Sequence, residues 1–432
     1  MPLLERLFSL RARGTTPLTE VRAGLVTFLT MAYVLVVNPQ ILSHAGMPAA
    51  DVTAATALSA AAATLLMGLW ANYPFALAPG MGLNAYFTYG VVLGMGLAWQ
   101  TALAAVFVAG LVFLLLSFGG VRTAILRAIP ESIKHAIAPG IGLFIALIGL
   151  RNAGLVVASP ATLVQLGDVR QGPVLLALGG LLLTAALTAR RVKGALLLGI
   201  AATTAVAWAS GLAPAPRALL AAPALPRTTL LALDLSQVWS GPFLSVTLAF
   251  LFVAVFDTAG TLLGVGRAAG FLTPAGELPR ADRAFAADAL GSVAGALAGT
   301  STVTCYVESA AGVEEGGRTG LTAVVVAGLF ALSLLFVPLL SAIPSVATAP
   351  ALVVVGAMML GHGAAGLKGR MDEVLPAFLT IALMPFTYSI AHGIGAGLVS
   401  YAALKLLTGR PREAHPLLYA LAALLALHYA LG

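Results

Sequence analysis

The sequence is poor in charge. Of its 432 residues only 9% are Asp, Glu, Lys or Arg and 60% are hydrophobic, whereas a soluble globular protein carries about 25% charged residues. A water-soluble domain is thereby excluded, and the lipid bilayer is the solvent to reason from. Cysteine is almost absent: the single Cys305 rules out an internal disulfide. No His/Cys cluster has metal-ligand spacing, so neither a metal nor another cofactor is expected. The N-terminal stretch MPLLERLFSLRARGTTPLTE carries Arg6, Arg11 and Arg13 but lacks a small-residue cleavage site after an apolar core. It reads as a cytoplasmic surface helix and not a signal peptide. A net charge of +7 would suggest nucleic acid in a soluble protein. Here the basic residues fall in short loops between apolar segments, where they report orientation and imply no nucleic-acid partner.

What is abundant is apolar sequence in span-length pieces. A membrane helix needs about 20 mainly apolar residues, fewer where a helix is broken inside the protein. On that basis fourteen spans are predicted, near 19–37, 52–70, 76–94, 99–118, 132–150, 173–189, 192–210, 244–266, 284–299, 301–313, 319–340, 348–364, 373–389 and 391–407. The loops support the count. With the N-terminus inside, even-numbered connections should be basic, and they hold Arg122 and Arg127, then Arg190, Arg191 and Lys193, then Arg267, Arg280 and Arg283, then Arg318, Lys368 with Arg370, and Arg410 with Arg412. Odd-numbered connections are poorer in Lys and Arg, although Arg151, Arg170, Arg217 and Arg227 sit in the two longest. Pro416 to Leu431 is either a fifteenth span or a helix along the membrane surface. The localisation implied is a plasma (inner) membrane, crossed many times, with a cytoplasmic N-terminus.

Seven spans followed by seven more place the second half upside down relative to the first, an arrangement common in transporters. The predicted units are residues 1–210, 244–407 and a tail, 408–432. Each half has an interrupted third span: NYPFALAPGMGLNAYF (72–87) and GTSTVTCYVESAAG (299–312). Pro74, Pro79, Gly80 and Gly82 forbid a continuous helix in the first. In the second, Thr300 to Tyr306 favour an extended strand, with helix resuming at about Val307 and Glu308 in its first turn. Both interruptions follow a span rich in Ala and Gly, which lets helices approach closely and leaves room for a homodimer.

Two acids stand out of sixteen. Glu308 is one, at a helix break where non-helical backbone is tolerated only if buried in protein or lining a cavity. Asp257 is the other, after eleven almost wholly apolar residues in SVTLAFLFVAVFDTAGTLLGV (245–265); a mid-helix carboxylate costs roughly 2.5 to 3.5 kcal/mol on insertion scales. Both are candidate substrate-binding and proton-coupling groups, against the plainer reading of buried structural hydrogen-bonding groups. Asp288 reads as lying near a span end, and the remaining acids as loop or interface. Ser301, Thr302 and Thr304 put hydroxyls near the break. Asn84 either caps the half-helix after Gly82 or touches ligand. Thr27, Phe28 and Thr30 of span 1 either line the site or simply pack. Glu314, Glu315 and Arg318 read as a cytoplasmic turn.

Together TFLTMAYVLVVNP, APGMGLNAYF, FDTAGTLLGV, TSTVTCYVESAAGVEEGGRTGLTAV and MPFTYSIAHGIGAG resemble the AzgA-like purine permeases of the nucleobase/ascorbate transporter superfamily. That resemblance implies an all-α polytopic fold of two inverted seven-span repeats, with short strands in spans 3 and 10. It implies a core domain (spans 1–4 and 8–11) moving against a gate domain (spans 5–7 and 12–14), with substrate between the two strands. Asp257 and Glu308 stand where the family's base-binding carboxylates stand. The implied function is proton-coupled import of adenine, guanine or hypoxanthine. Carboxylates suit it because a purine edge offers N–H donors, and a buried acid can carry a proton. Rival readings are an anion transporter, which would want basic or neutral groups at the breaks, and an intramembrane aspartyl protease, whose Gly-x-Gly-Asp motif the chain lacks. A passive channel for bases is a further alternative. The protein is not expected to be an enzyme.

Overall fold

The computed structural model describes residues 2–118, 129–274, 277–361 and 369–431; the basic positions Arg122, Arg127 and Lys368 lie outside them, as does the end of the predicted span 12. After a short helix, Pro2–Phe8, every predicted span corresponds to a helix or a strand–helix pair, in the predicted order. Among the described residues, eight helices are long and apolar enough to cross a membrane: spans 1, 2, 4, 5, 6, 8, 11 and 14. Spans 7 (Ala195–Ala209) and 12 (Ser345–Gly361) are shorter apolar helices. Span 9 (Ala281–Ala298) is long enough but carries Asp282, Arg283 and Asp288, and span 13 (Met371–Phe386) opens with Asp372 and Glu373.

Span 1 extends further than predicted. It runs as Pro17–Met31 and Val34–Ser43, interrupted at Ala32 and Tyr33. Thr16 caps its start, accepting from the Thr19 amide at 3.3 Å, with Pro17 in the first turn where a missing N–H is harmless. Span 2 (Ala49–Leu66) ends in a π-helical turn, Met67–Ala71, stopped by Asn72 at φ 55°. The Asn72 side chain then accepts from the Gly320 amide at 2.7 Å and donates to the Phe8 carbonyl at 3.3 Å, docking span 11 and the N-terminal helix. Gly68 and Gly320 meet backbone to backbone there, and a Cβ on Gly320 would collide with the Gly68 carbonyl. The long connection after span 5 holds a hairpin the sequence does not predict, β2 (Val156–Ser159) paired with β3 (Leu163–Leu166).

The helices form two sets. In one set span 2 packs on spans 9 and 11, span 4 lies against spans 8 and 9, and span 11 against span 1. In the other set span 5 (Glu131–Asn152) lies between spans 12 and 13, span 12 also covers spans 6 and 7, and span 13 packs on span 14. The first set is the core and the second the gate. The seam between them is thinner, closed by contacts such as Gly82 against Ile141 and Gly194 against Leu29.

Both interrupted spans lie in the core. In span 3, β1 (Leu77–Pro79) precedes the helix Met81–Ala85, which continues as a π-helical stretch, Tyr86–Gly94. In span 10, β4 (Val303–Cys305) precedes the helix Ser309–Glu314. The strand is shorter than predicted and the helix starts later, so Glu308 occupies the cap position rather than the first turn.

Candidate functional site

The two strands meet antiparallel deep in the core, with Leu77 opposite Cys305, Ala78 opposite Thr304 and Pro79 opposite Val303. A two-stranded ribbon leaves two outer edges unpaired, which the membrane interior does not tolerate. Each edge is satisfied by the preceding span. Thr64 of span 2 both accepts from the Leu77 amide and donates to the Leu77 carbonyl, at 2.9 Å each. On the other side Ser292 of span 9 donates to the Val303 carbonyl and Asp288 accepts from the Cys305 amide, both at 2.7 Å. Asp288 and Ser292 are one helical turn apart, so one face of span 9 serves the strand.

This corrects the sequence assignment of Asp288. It is not near a span end but fully buried, and its other oxygen accepts from Thr258 of span 8 at 2.7 Å. Glu20 is a second buried acid that composition did not reveal. It accepts from the Arg318 amide at 2.9 Å and from the Thr322 hydroxyl at 2.6 Å, capping the start of span 11.

A cavity of about 100 Å³ opens beside the ribbon, between core and gate. From the core, span 8 contributes Val253, Asp257 and Thr261, spaced i, i+4, i+8 along one helical face. Span 3 contributes Gly80, Met81, Gly82 and Leu83, span 10 contributes Thr304 through Glu308, and span 1 contributes Tyr33. Among the described residues, the gate supplies Ile141 and, at helical spacing on span 12, Val355, Met358 and Met359. All charge is therefore on the core wall, and the gate wall is apolar. Asp257 and Glu308 keep part of their surface open to the cavity, whereas Asp288 behind them has none. Thr304 donates its hydroxyl to Asp257, and the Tyr33 phenol donates to Glu308 Oε1 at 2.9 Å. The Tyr306 phenol goes instead to the Pro79 carbonyl at 2.5 Å.

Of the candidate residues, Asp257, Glu308 and Gly82 converge on the cavity. Asn84, Ser301, Thr302, Thr27 and Phe28 do not line it. Asn84 accepts from the Ser301 hydroxyl and reaches the Pro79 carbonyl, so these two tie the breaks of spans 3 and 10 together. The Thr302 hydroxyl is buried. Thr27 donates to the Ala23 carbonyl at 3.0 Å and packs against Gly312, and Phe28 lies edge-on to Phe330 of span 11 with centroids 5.2 Å apart. Thr30 likewise bonds its own helix. Of the proposed cytoplasmic turn, Glu315 ends the half-helix and pairs with Arg22 at 3.3 Å and with Lys193. Sequence reasoning missed Tyr33 and the gate wall. Tyr33 had a signal, being the one hydroxyl-bearing side chain in the run AYVLVV; the gate residues had none, because nothing distinguishes them from lipid-facing apolar residues.

Residues 18–396 match the permease family. The chain belongs to that family. It is a multi-pass membrane permease and not an enzyme. Adenine permease AdeP of Escherichia coli is 44% identical over 96% of this permease and 93% of its own length. Guanine/hypoxanthine permease PbuO of Bacillus subtilis is 44% identical over 97% and 98%. The transmembrane domain of a cyanobacterial bicarbonate transporter, BicA, superposes with a TM-score of 0.67 over 88% of this permease and 96% of that chain, at 15% identity. At that identity the likeness speaks for the fold.

Proposed function

We propose that this permease is a secondary active transporter that imports a purine nucleobase across the plasma membrane in symport with a proton. Adenine, guanine and hypoxanthine are the substrates considered, since relatives sharing 44% of its residues over nearly the whole chain are named for them. The observation that carries the reading is the pair of cavity-facing carboxylates, Asp257 and Glu308, on one wall of a small, otherwise largely apolar pocket. A purine matches it: a flat, mostly apolar ring with N–H donors along its edge. The donors pair with the carboxylates, and the ring face lies against Met358, Met359 and Ile141, where thioether sulfur suits an aromatic surface.

Transport follows from the asymmetry of the walls. Every charged contact to the base moves with the core, so an elevator-like displacement of core against gate breaks no hydrogen bond to the gate. One of the two acids takes up the coupling proton. A membrane potential near 100 mV is worth about 2.3 kcal/mol per charge moved, somewhat under two decades of accumulation. One proton per base therefore suffices. The basic even-numbered loops support a cytoplasmic N-terminus, and the small-residue faces of the spans are compatible with a homodimer. An anion substrate, such as the bicarbonate named for the fold neighbour, is disfavoured by two acids and, among the described residues, no cavity-lining base.

Uptake of radiolabelled adenine, guanine, hypoxanthine and uracil into proteoliposomes tests the proposal, with and without an inward proton gradient. Gradient-driven purine uptake that Glu308→Gln lowers by about 100-fold supports it. Purine entry indifferent to the gradient makes the protein a facilitator or channel, and no uptake of any base refutes the substrate class.

A further inference from the structure

We propose that Tyr33 is a positioning residue for the site, acting on the nucleobase through Glu308. The geometry is specific. Glu308 occupies the cap position of a helix of six residues that follows a three-residue strand, and its side chain makes no capping bond to that helix. The carboxyl ends a side chain with several rotatable bonds, and holding it in one orientation costs conformational entropy. Tyr33 reaches it from span 1, 275 positions away in sequence, with a phenol at 2.9 Å from Oε1. The phenol can serve as a fixed post because its ring is buried at 1% exposure and has only two side-chain torsions. Without the carboxyl, a buried hydroxyl in this setting would be left short of a partner.

The backbone arrangement supports the same assignment. Tyr33 falls at the interruption of span 1, between the helix ending at Met31 and the helix starting at Val34. The second tyrosine of the cavity makes a contrast: Tyr306 donates to the Pro79 carbonyl and holds backbone to backbone. Tyr33 alone of the two addresses a group that faces the ligand.

The affinity arm of the test rests on the purine reading; the spectroscopic arm does not. The full-length protein is purified as wild type, Tyr33→Phe and Glu308→Gln, and the infrared difference between wild type and Glu308→Gln assigns the Glu308 carboxyl band. The expected result is that this band moves in Tyr33→Phe, that Kd for the transported purine rises about tenfold, the loss of one hydrogen bond to a carboxyl group, and that the unfolding midpoint holds because the ring is kept. An unmoved band overturns the proposal even if affinity falls, since Tyr33 then contacts the ligand itself. A moved band with unchanged Kd also overturns it, as does a Tyr33→Phe protein that no longer folds, because the role is then structural. Wild type that binds no purine defeats the substrate assignment, while the infrared band still decides whether Tyr33 holds Glu308.

Discussion

The two interrupted spans solve one folding problem with different chemistry. Span 3 breaks on Pro79, Gly80 and Gly82 and brings no charge; span 10 breaks on Thr, Val and Cys and brings Glu308. Both contribute three residues to one ribbon, and both have their outer strand edge satisfied by the span before them. The satisfying groups differ. On the span 3 side a neutral Thr64 suffices, and on the span 10 side Asp288 and Ser292 share the task. The lesson is that an acid inside the membrane has two distinct uses in this protein. Asp288 faces backbone and is sealed, whereas Glu308 faces a cavity and is reachable. Burial among partners, and not depth in the membrane, separates the structural acid from the candidate ligand.

The sharpest way to test that separation is to neutralise each acid in turn. Glu308→Gln and Asp257→Asn are expected to reduce purine uptake by about 100-fold, the scale of one strong hydrogen bond to a charged group, with an unchanged unfolding midpoint. Asp288→Ala should do the reverse, lowering stability by about 2 to 3 kcal/mol because the Cys305 amide and Thr258 lose their acceptor, read as a drop in unfolding midpoint in detergent. Equal effects of all three on uptake with none on stability would erase the distinction. Thr64→Val, the corresponding change on the span 3 side, should cost about 1 to 3 kcal/mol by stranding the Leu77 amide.

The tight glycines of the two breaks face different neighbours: Gly312 of span 10 packs on Thr27 of span 1, whereas Gly82 of span 3 packs on the gate. A Cβ on Gly82 would collide with Ile141 of the gate, so Gly82→Ala is expected to slow transport about tenfold, on the scale of a modest overpacking cost. Adding Ile141→Ala should restore most of the rate, and failure of that rescue would place the defect in the core.

The far ends of the two breaks differ in their partners. Span 3 ends beside His44, whose Nδ1 lies 2.7 Å from the Tyr89 hydroxyl, and Tyr89 meets Tyr388 of the gate edge-on. Burial, and secondarily the nearby Arg151, hold the His44 pKa below its ordinary 6.5. The neutral form is therefore the folded form, and its contribution to stability is present above about pH 6.5 and lost as pH falls toward the depressed value. The unfolding midpoint should decline through that window in wild type and less so in His44→Gln. Span 10 ends at Glu315, paired with Arg22 and Lys193. Those partners are largely exposed, so Lys193→Ala should change stability by under about 1 kcal/mol.

Much of this was legible in the linear sequence. Apolar length gave the spans, proline and glycine gave the break in span 3, and β-branched residues gave the extended stretch in span 10. Asp257 and Glu308 were visible because a carboxyl amid apolar residues has no cheap explanation. Asp288 was misassigned because DALGSVAGALAGT looks like a span end, and only the strand lying against it reveals an acceptor. Thr27 and Phe28 looked like site residues through proximity to the motif, yet their helix turns them toward spans 10 and 11.

The sequence by itself determined the solvent, the order of the spans, the two breaks and the two reachable acids, because each follows from hydrophobicity and backbone propensity read locally. Tertiary structure alone decided which acid is sealed, which tyrosine holds Glu308 and which gate residues face the cavity. Those depend on pairings across hundreds of residues, such as Tyr33 with Glu308 and Gly82 with Ile141, and a local pattern carries no record of its distant partner.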